Sequence, residues 1–445
     1  MDIRRDIIIT LKSNSFDSQA LTPKVLPLRD QWKVRDQWLQ ERLDTVLPSL
    51  MKRTKTDMWI IITDENNEDP ITKTLLPSRL INARGKMIFA FIMEEDGNLT
   101  KQSISIPSGI EDIYQNEWYG MNSLDWKGKQ FKKPETTALE FLARLVNRRN
   151  PKTIAINSDE IHPFADGLTH TNYKELCNAL GEKYTTRLVS ARNIALAWLE
   201  TRCESEIMAY ENIVRLAKSI ITECFTTRYI TPGITTNDDL RFAMMQRAID
   251  MGLTPWFECS VAIFRGGYPG MHGDRHVIMP GDIIHCDFGI SYLGLCTDRQ
   301  ELGYILRHGE TEAPEGLRFA LKTANRLQDI VVSNIKTGKT GNEILQNSRT
   351  EAEAEGIEPW IYTHPIGFDG HGAGTVIGRF SNQEGTPAGE LPINDNTAYA
   401  LELNAKVPVP EWDNQILMTC IETEILLCNG KVHFLAGRQE ELHLI

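Results

Sequence analysis

No stretch of this 445-residue chain approaches the ~20 consecutive apolar residues that a membrane-spanning helix needs. The opening residues, MDIRRDIIITLKSNSF, lack a signal-length apolar run and a small-residue cleavage site. A cytoplasmic location is therefore expected, unless a leader has been removed. Cysteine is absent before Cys177 and no CxxC pair occurs, so the eight cysteines form no disulfide framework and are expected as reduced thiols. No basic block interleaved with aromatics offsets the net charge of −12, which excludes nucleic acid as the main partner. A phosphate-cradling role for RGGYPGMHGDR is excluded too, because no GK[ST] follows it. There is no low-complexity tract and no short-period repeat.

What remains is the composition of a soluble globular protein, 41% hydrophobic and 24% charged, with a length that calls for two domains. Residues 1–190 read as a smaller α/β domain. Its short β-rich runs are DMWIIITD (57–64), KMIFAFIME (86–94) and KTIAIN (152–157), and helical patterns occupy 136–149 and 171–180. Strands alternating with helices predict a mixed or parallel sheet covered by helices. The texture changes near 185–205, and residues 200–445 read as a second domain. Helices are predicted over 204–225, from about 237 to Gly252, and over 316–335 and 341–355. Strand-like runs there include FECSVAIFRG, TAYALELNAKVPVP and NQILMTCIETEILLCNGKVHFL.

GDIIHCDFGISYLGLCTDRQELGYI (281–305) reads as two apolar strands joined by a tight turn, with Asp287 on the first and Asp298 on the second. A two-residue turn at Tyr292-Leu293 would set the two aspartates directly opposite, their Cβ atoms ~4.5–5.5 Å apart. Two bare carboxylates that close repel and raise each other's pKa. A pair of divalent cations reverses the penalty. Alternation puts Ile283, His285 and Asp287 on one face and Ile284, Cys286 and Phe288 on the other, so Cys286 is expected in the core. The bland alternative is a surface hairpin whose aspartates simply face water. His285 shares the face of Asp287 and is either an ordinary polar strand residue or a neighbour that supports the metal ligands.

Further ligand types lie downstream. THPIGFDGHGAG contains His364 and His371, and Glu402 and Glu422 interrupt the apolar runs YALELN and TCIETEIL. Glutamate is depleted in strands and seldom buried unpaired.

The order Asp, Asp, His, Glu, Glu in these settings resembles the pita-bread metallopeptidases of family M24. His364 followed by Gly367, Asp369 and His371 is the most specific local match, and GDIIHCDFG is similar to the segment carrying the first metal aspartate. The resemblance implies an α+β pita-bread catalytic domain over 200–445 and a creatinase-like N-terminal domain over 1–190. It also implies two divalent metal ions, manganese first, with iron, cobalt or zinc as alternatives. Four carboxylates and one imidazole form a hard, oxygen-rich set that suits those ions.

By the same resemblance Asp287 binds one metal, Asp298 and Glu422 bridge, and His364 and Glu402 complete the other. Glu402 exchanges the proton, while His272 and His371 donate hydrogen bonds to the developing oxyanion or the scissile nitrogen. His276 is the alternative to His272. The implied substrate is a short peptide cut at an Xaa-Pro bond, by an aminopeptidase or a dipeptidase, and the implied assembly is a homodimer. Three positions depart from the family pattern: Leu403 stands where proline often follows the first glutamate, Arg299-Gln300-Glu301 where threonine and arginine are common, and Trp360 where a histidine often sits. A hydrolase or lyase for a small non-peptide molecule, and a non-catalytic binding scaffold, are the rival readings.

Overall fold

The computed structural model describes residues 25–104, 112–118, 136–268, 270–273 and 275–445. The expectation drawn from residues 1–16 lies outside the described residues, as do Pro269 and Asp274. The chain divides into two compact units, one comprising Leu28–Leu199 and the other Glu200–Ile445 with residues 25–27. The segment 191–199, left open between the two expected domains, thus falls in the first unit.

In the Leu28–Leu199 unit, β1 (Met58–Asp64), β2 (Lys86–Met93), β3 (Leu99–Ile104), β4 (Ile154–Ile156) and β5 (Leu188–Ser190) form a sheet in the order β3-β2-β1-β4-β5. β1 runs antiparallel to β2 and parallel to β4, which makes the sheet mixed. β1 and β2 are buried on both faces, which explains their unbroken apolar text. Helix Ala138–Arg149 begins at a capping box, with the Thr137 hydroxyl accepting from the Glu140 N–H and the Glu140 carboxylate from the Thr137 N–H. Its Leu142, Leu145 and Val146 pack on Ile60, Ile62 and Ile88 of the sheet. Sequence reading missed β3, LTKQSI, because it shows neither clean alternation nor an apolar run.

The second unit holds helices Glu204–Cys224, Asn237–Asp250, Glu315–Asn334 and Gly341–Ala354. Its strands are β6 (Thr254–Pro255), β7 (Ser260–Phe264), β8 (Ile283–Phe288), β9 (Ile290–Tyr292), β10 (Leu295–Cys296), β11 (Arg299–Tyr304), β12 (Glu358–Ile366), β13 (Thr397–Val409), β14 (Gln415–Cys428), β15 (Lys431–Phe434) and β16 (His443–Leu444). The main sheet runs β12-β13-β14-β11-β8-β7, with β15 beside β14 and β16 beside β11.

Strand periodicity sorts the residues of the two longest strands. Odd-numbered Leu401, Leu403, Ala405 and Val407 of β13, with Leu417 and Ile421 of β14, join Leu317, Leu321, Leu327 and Val331 of helix Glu315–Asn334 in one core. Each such buried side chain contributes ~1.5–3 kcal/mol, and Leu403→Ala would cost about 2–5 kcal/mol because a cavity replaces it. Even-numbered residues, Glu402 and Glu422 among them, face the opposite side. The glutamates interrupt an apolar run because one face of each strand is core and the other is the site.

The hairpin register differs from expectation. Tyr292 pairs with Leu295 and Ser291 with Cys296, so the turn is Leu293-Gly294, with φ of +55° and +86°. Turns of this length need positive φ at both central residues, and the glycine supplies one of them without strain. Asp287 consequently faces Gln300, and Asp298 sits two residues away along the neighbouring strand. A two-residue shift preserves parity, so both aspartates stay on the same face.

Candidate metal centre

One row of side chains crosses the main sheet. Ser260 pairs with Asp287, Asp287 with Gln300, Gln300 with Glu422, Glu422 with Glu402, and Glu402 with Tyr362. Register partners project from the same face, so three carboxylates stand side by side there. Asp298 and His364 lie one step along their strands from this row, two residues from Gln300 and Tyr362. The site is thus a consequence of strand pairing among segments distant in sequence.

Ligating atoms converge in three groups, each spanning no more than 4.8 Å: Asp287, Asp298 and Glu422; His364, Glu402 and Glu422; and Asp298, His364 and His371. Glu422 belongs to the first two. His364 Nε2 lies 3.4 Å from Glu422 Oε1 and 3.8 Å from Asp298 Oδ2. On the other side of the ring, Nδ1–H donates to the Pro365 carbonyl at 3.1 Å. That bond fixes the tautomer and leaves the Nε2 lone pair aimed at the carboxylates.

These groups are not on a wet face. Asp298 is 4% exposed, His364 2%, Glu402 8% and Glu422 1%. Asp287 Oδ1, Asp298 Oδ1, Glu422 Oε1 and His364 Nε2 are buried without a hydrogen-bond partner. Burial pushes Asp287 up to about 6. Burial and then the charge of Asp287 push Glu402 up to about 8. Asp298 and Glu422 are driven well above the carboxylate range, first by burial and then by neighbouring carboxylates. Burial, followed by the nearby His371, lowers His364 to about 3. Four carboxylates that resist ionisation and an imidazole that resists protonation are costly by themselves. A divalent cation inverts every one of those penalties. The donor set and its orphaned atoms therefore fit hard divalent ions.

His371 is exposed, and its ring meets His364 edge-on at 4.7 Å and Trp256 at 5.6 Å. Burial and the charge of Arg379 lower its pKa. His272 is not drawn into any of the ligating groups; it is exposed and sets its ring against Phe264 at 5.7 Å. His276 uses its main chain to pair with Asn237 at the start of helix Asn237–Asp250. Cys286 is in the core, fully buried. His285 is no wet strand residue: it is buried, and its Nε2 lies 3.0 Å from Gln300 Oε1.

Several neighbours of the site escaped sequence reading. The Tyr362 ring packs tilted against His364 at 5.1 Å and meets Phe380 edge-on at 5.4 Å. Its position two residues before His364 on a strand was the available signal. Trp256 donates its indole N–H to the Thr297 carbonyl at 2.7 Å, and nothing in its local sequence marks it. Glu424, fully buried, accepts from the Asp298 N–H at 3.2 Å and from Arg299 Nε at 3.1 Å. Arg299 also reaches Glu301 at 3.1 Å and the carbonyls of Leu435 and Gly437. The departures from the family pattern at 299–301 thus build a buried ion network behind Asp298.

Residues 209–415 match the family model of metallopeptidase family M24. The chain is similar to a putative Xaa-Pro aminopeptidase of Mycoplasma pneumoniae, 26% identical over 47% of this chain and 56% of that protein. A putative Xaa-Pro aminopeptidase of Mycoplasma genitalium is 24% identical over the same shares. The match spans about half the length of these curated relatives. Among solved structures, an X-Pro aminopeptidase from Thermotoga maritima aligns with a TM-score of 0.61 and 17% identity, over 88% of this chain and 99% of that one. An Xaa-Pro dipeptidase from Bacillus anthracis aligns at 0.58 and 16%, over 94% and 100%. These likenesses establish the pita-bread fold.

Proposed function

We propose that this chain is a member of metallopeptidase family M24, a metal-dependent hydrolase that cleaves an amide bond of short peptides, at an Xaa-Pro bond, as an aminopeptidase or dipeptidase. The observation that carries the reading is the set of buried, partnerless ligand atoms of Asp287, Asp298, His364 and Glu422 converging beside Glu402. The Xaa-Pro names of relatives and structural neighbours support the substrate class.

Asp287 would hold one divalent ion and His364 with Glu402 the other, with Asp298 and Glu422 shared between the two. Such ions supply Lewis acidity and an acidified water at neutral pH. Glu402 takes a proton from the attacking water and returns it to the leaving nitrogen, a role suited to a carboxylate whose affinity for protons is raised. His371, at the exposed edge of the cluster, donates a hydrogen bond to the oxygen that gains charge or to the scissile nitrogen. His272, or His276 in its stead, would do so from the opposite loop. Tyr362 and Trp256 wall the site with aromatic surface and limit access of bulk water.

Manganese as the native ion, a homodimer and a cytoplasmic setting complete the proposal. Among the described residues no disulfide links any of the eight cysteines, which supports a reducing compartment, and no helix is long and apolar enough to cross a membrane. The test is turnover of Xaa-Pro dipeptides and tripeptides by manganese-loaded protein, beside a panel of small betaine-like and guanidino compounds. Cleavage confined to the second panel would replace the peptidase reading with that of a small-molecule hydrolase or lyase.

A further inference from the structure

Within the row of side chains crossing the site, the place between Asp287 and Glu422 is taken by a neutral residue, Gln300. It is 5% exposed, and both ends of its amide are engaged. Gln300 Nε2 lies 2.8 Å from Glu402 Oε1, and Gln300 Oε1 lies 3.0 Å from His285 Nε2. The polarity of this chain is fixed by elementary bookkeeping. The amide nitrogen of Gln300 donates to Glu402, which leaves the amide oxygen facing His285. An amide oxygen only accepts, so the imidazole presents N–H at Nε2.

We propose that Gln300, oriented by His285, is a positioning residue that fixes the carboxylate of Glu402. The bond occupies one lone pair of Oε1 and holds the long glutamate side chain in one rotamer. The remaining acceptor sites stay turned toward the ion and the reacting proton. His285 acts only through Gln300: without its N–H the amide is free to flip and set an oxygen against the carboxylate. The inference rests on the metal-dependent reading above. It also assigns a direction, because the arrangement supports the His364–Glu402 side of the centre and leaves the Asp287 side to its own ligands.

The test is cobalt(II) titration of full-length, chelator-stripped protein, followed by calorimetry and by the visible absorption of the bound ion. Gln300→Met keeps the side-chain volume and removes both polar ends, and Gln300→Ala serves as a second variant. Each is expected to weaken one of the two binding steps about tenfold to a hundredfold and to shift its absorption bands, with the other step unchanged. His285→Ala is expected to produce a smaller loss in the same step and none beyond Gln300→Met in the double variant. His285→Gln, whose amide nitrogen falls near the imidazole Nε2, restores the affinity. Wild-type affinity and spectrum in Gln300→Met would overturn the proposal. So would independent, multiplicative losses in the double variant, which signal packing damage. Wild-type protein that takes up no cobalt would sink the metal-dependent reading itself, and the inference with it.

Discussion

Glu402 and Glu422 are direct register partners on β13 and β14, two buried carboxylates on one face of the sheet. Partners of this kind have Cβ atoms ~4.5–5.5 Å apart, and like charges at that distance destabilise a sheet. Asp287 and Asp298 add to the same cluster. A cationic centre would convert that repulsion into ligation.

Glu402→Gln keeps the size of the side chain and removes its ability to exchange a proton. Hydrolysis of an Xaa-Pro substrate by the metal-loaded variant is expected to fall about 10²–10⁴-fold in kcat, with a smaller change in KM. Steady-state kinetics at saturating metal check this. A variant that keeps full kcat assigns the proton transfer to another group.

Metal-free protein is expected to lose stability as pH rises. Asp287 and Glu402 have folded-state values of about 6 and about 8, above their ordinary 3.8 and 4.5. The folded state therefore retains protons that the unfolded chain has released. Their contribution is complete below about pH 4 and is lost as pH rises through about 6 and then about 8. The loss is on the order of a few kcal/mol, since one pKa unit is worth about 1.4 kcal/mol. Urea unfolding of chelator-treated protein at about pH 5 and about pH 8 should show it, and saturating manganese should abolish it.

His371→Ala is expected to keep metal binding and to lower kcat about 10²–10³-fold, as for loss of one donor to a developing charge. Metal content and kcat measured on one preparation separate the two effects. Because His371 is an exposed edge residue, its removal should hurt less than removal of Asp298 or Glu422.

The legible part of the architecture was the part written in periodicity. Leu401, Leu403, Ala405 and Val407 alternate with Glu402 and Asn404, so both the strand and its two faces could be read from the text. The aspartates were assigned to the correct face for the same reason. Their register was not legible, because it depends on which two residues adopt positive φ, and Leu293 does so against its own preference. Gln300 was marked as a departure beside Asp298, but its partners, and Tyr362 and Trp256 altogether, were hidden for a different reason. Register partnership between β11 and β14, or between β12 and β13, joins segments separated by scores of residues, and no local pattern encodes it. β3 was missed because LTKQSI gains its stability from β2, not from its own apolar content.

Arg299 has no exposed side-chain surface, and it lies between Glu424 and Glu301, which are equally enclosed. Arg299→Met would leave two buried carboxylates short of their cation. The expected cost is about 3–5 kcal/mol, read as a lower urea midpoint. His443, 2.6 Å from Glu301, moderates the loss, so Arg299→Met combined with His443→Ala should be worse than either alone.

Metal stoichiometry tests the central claim most directly. Protein purified without chelator and titrated with manganese should bind two equivalents. Asp298→Ala and Glu422→Ala, each removing a residue shared by the two sides of the cluster, should bind one or none and lose hydrolysis in parallel. A wild-type chain that binds no divalent ion, or an Asp298→Ala variant with full metal content and full turnover, would contradict the account.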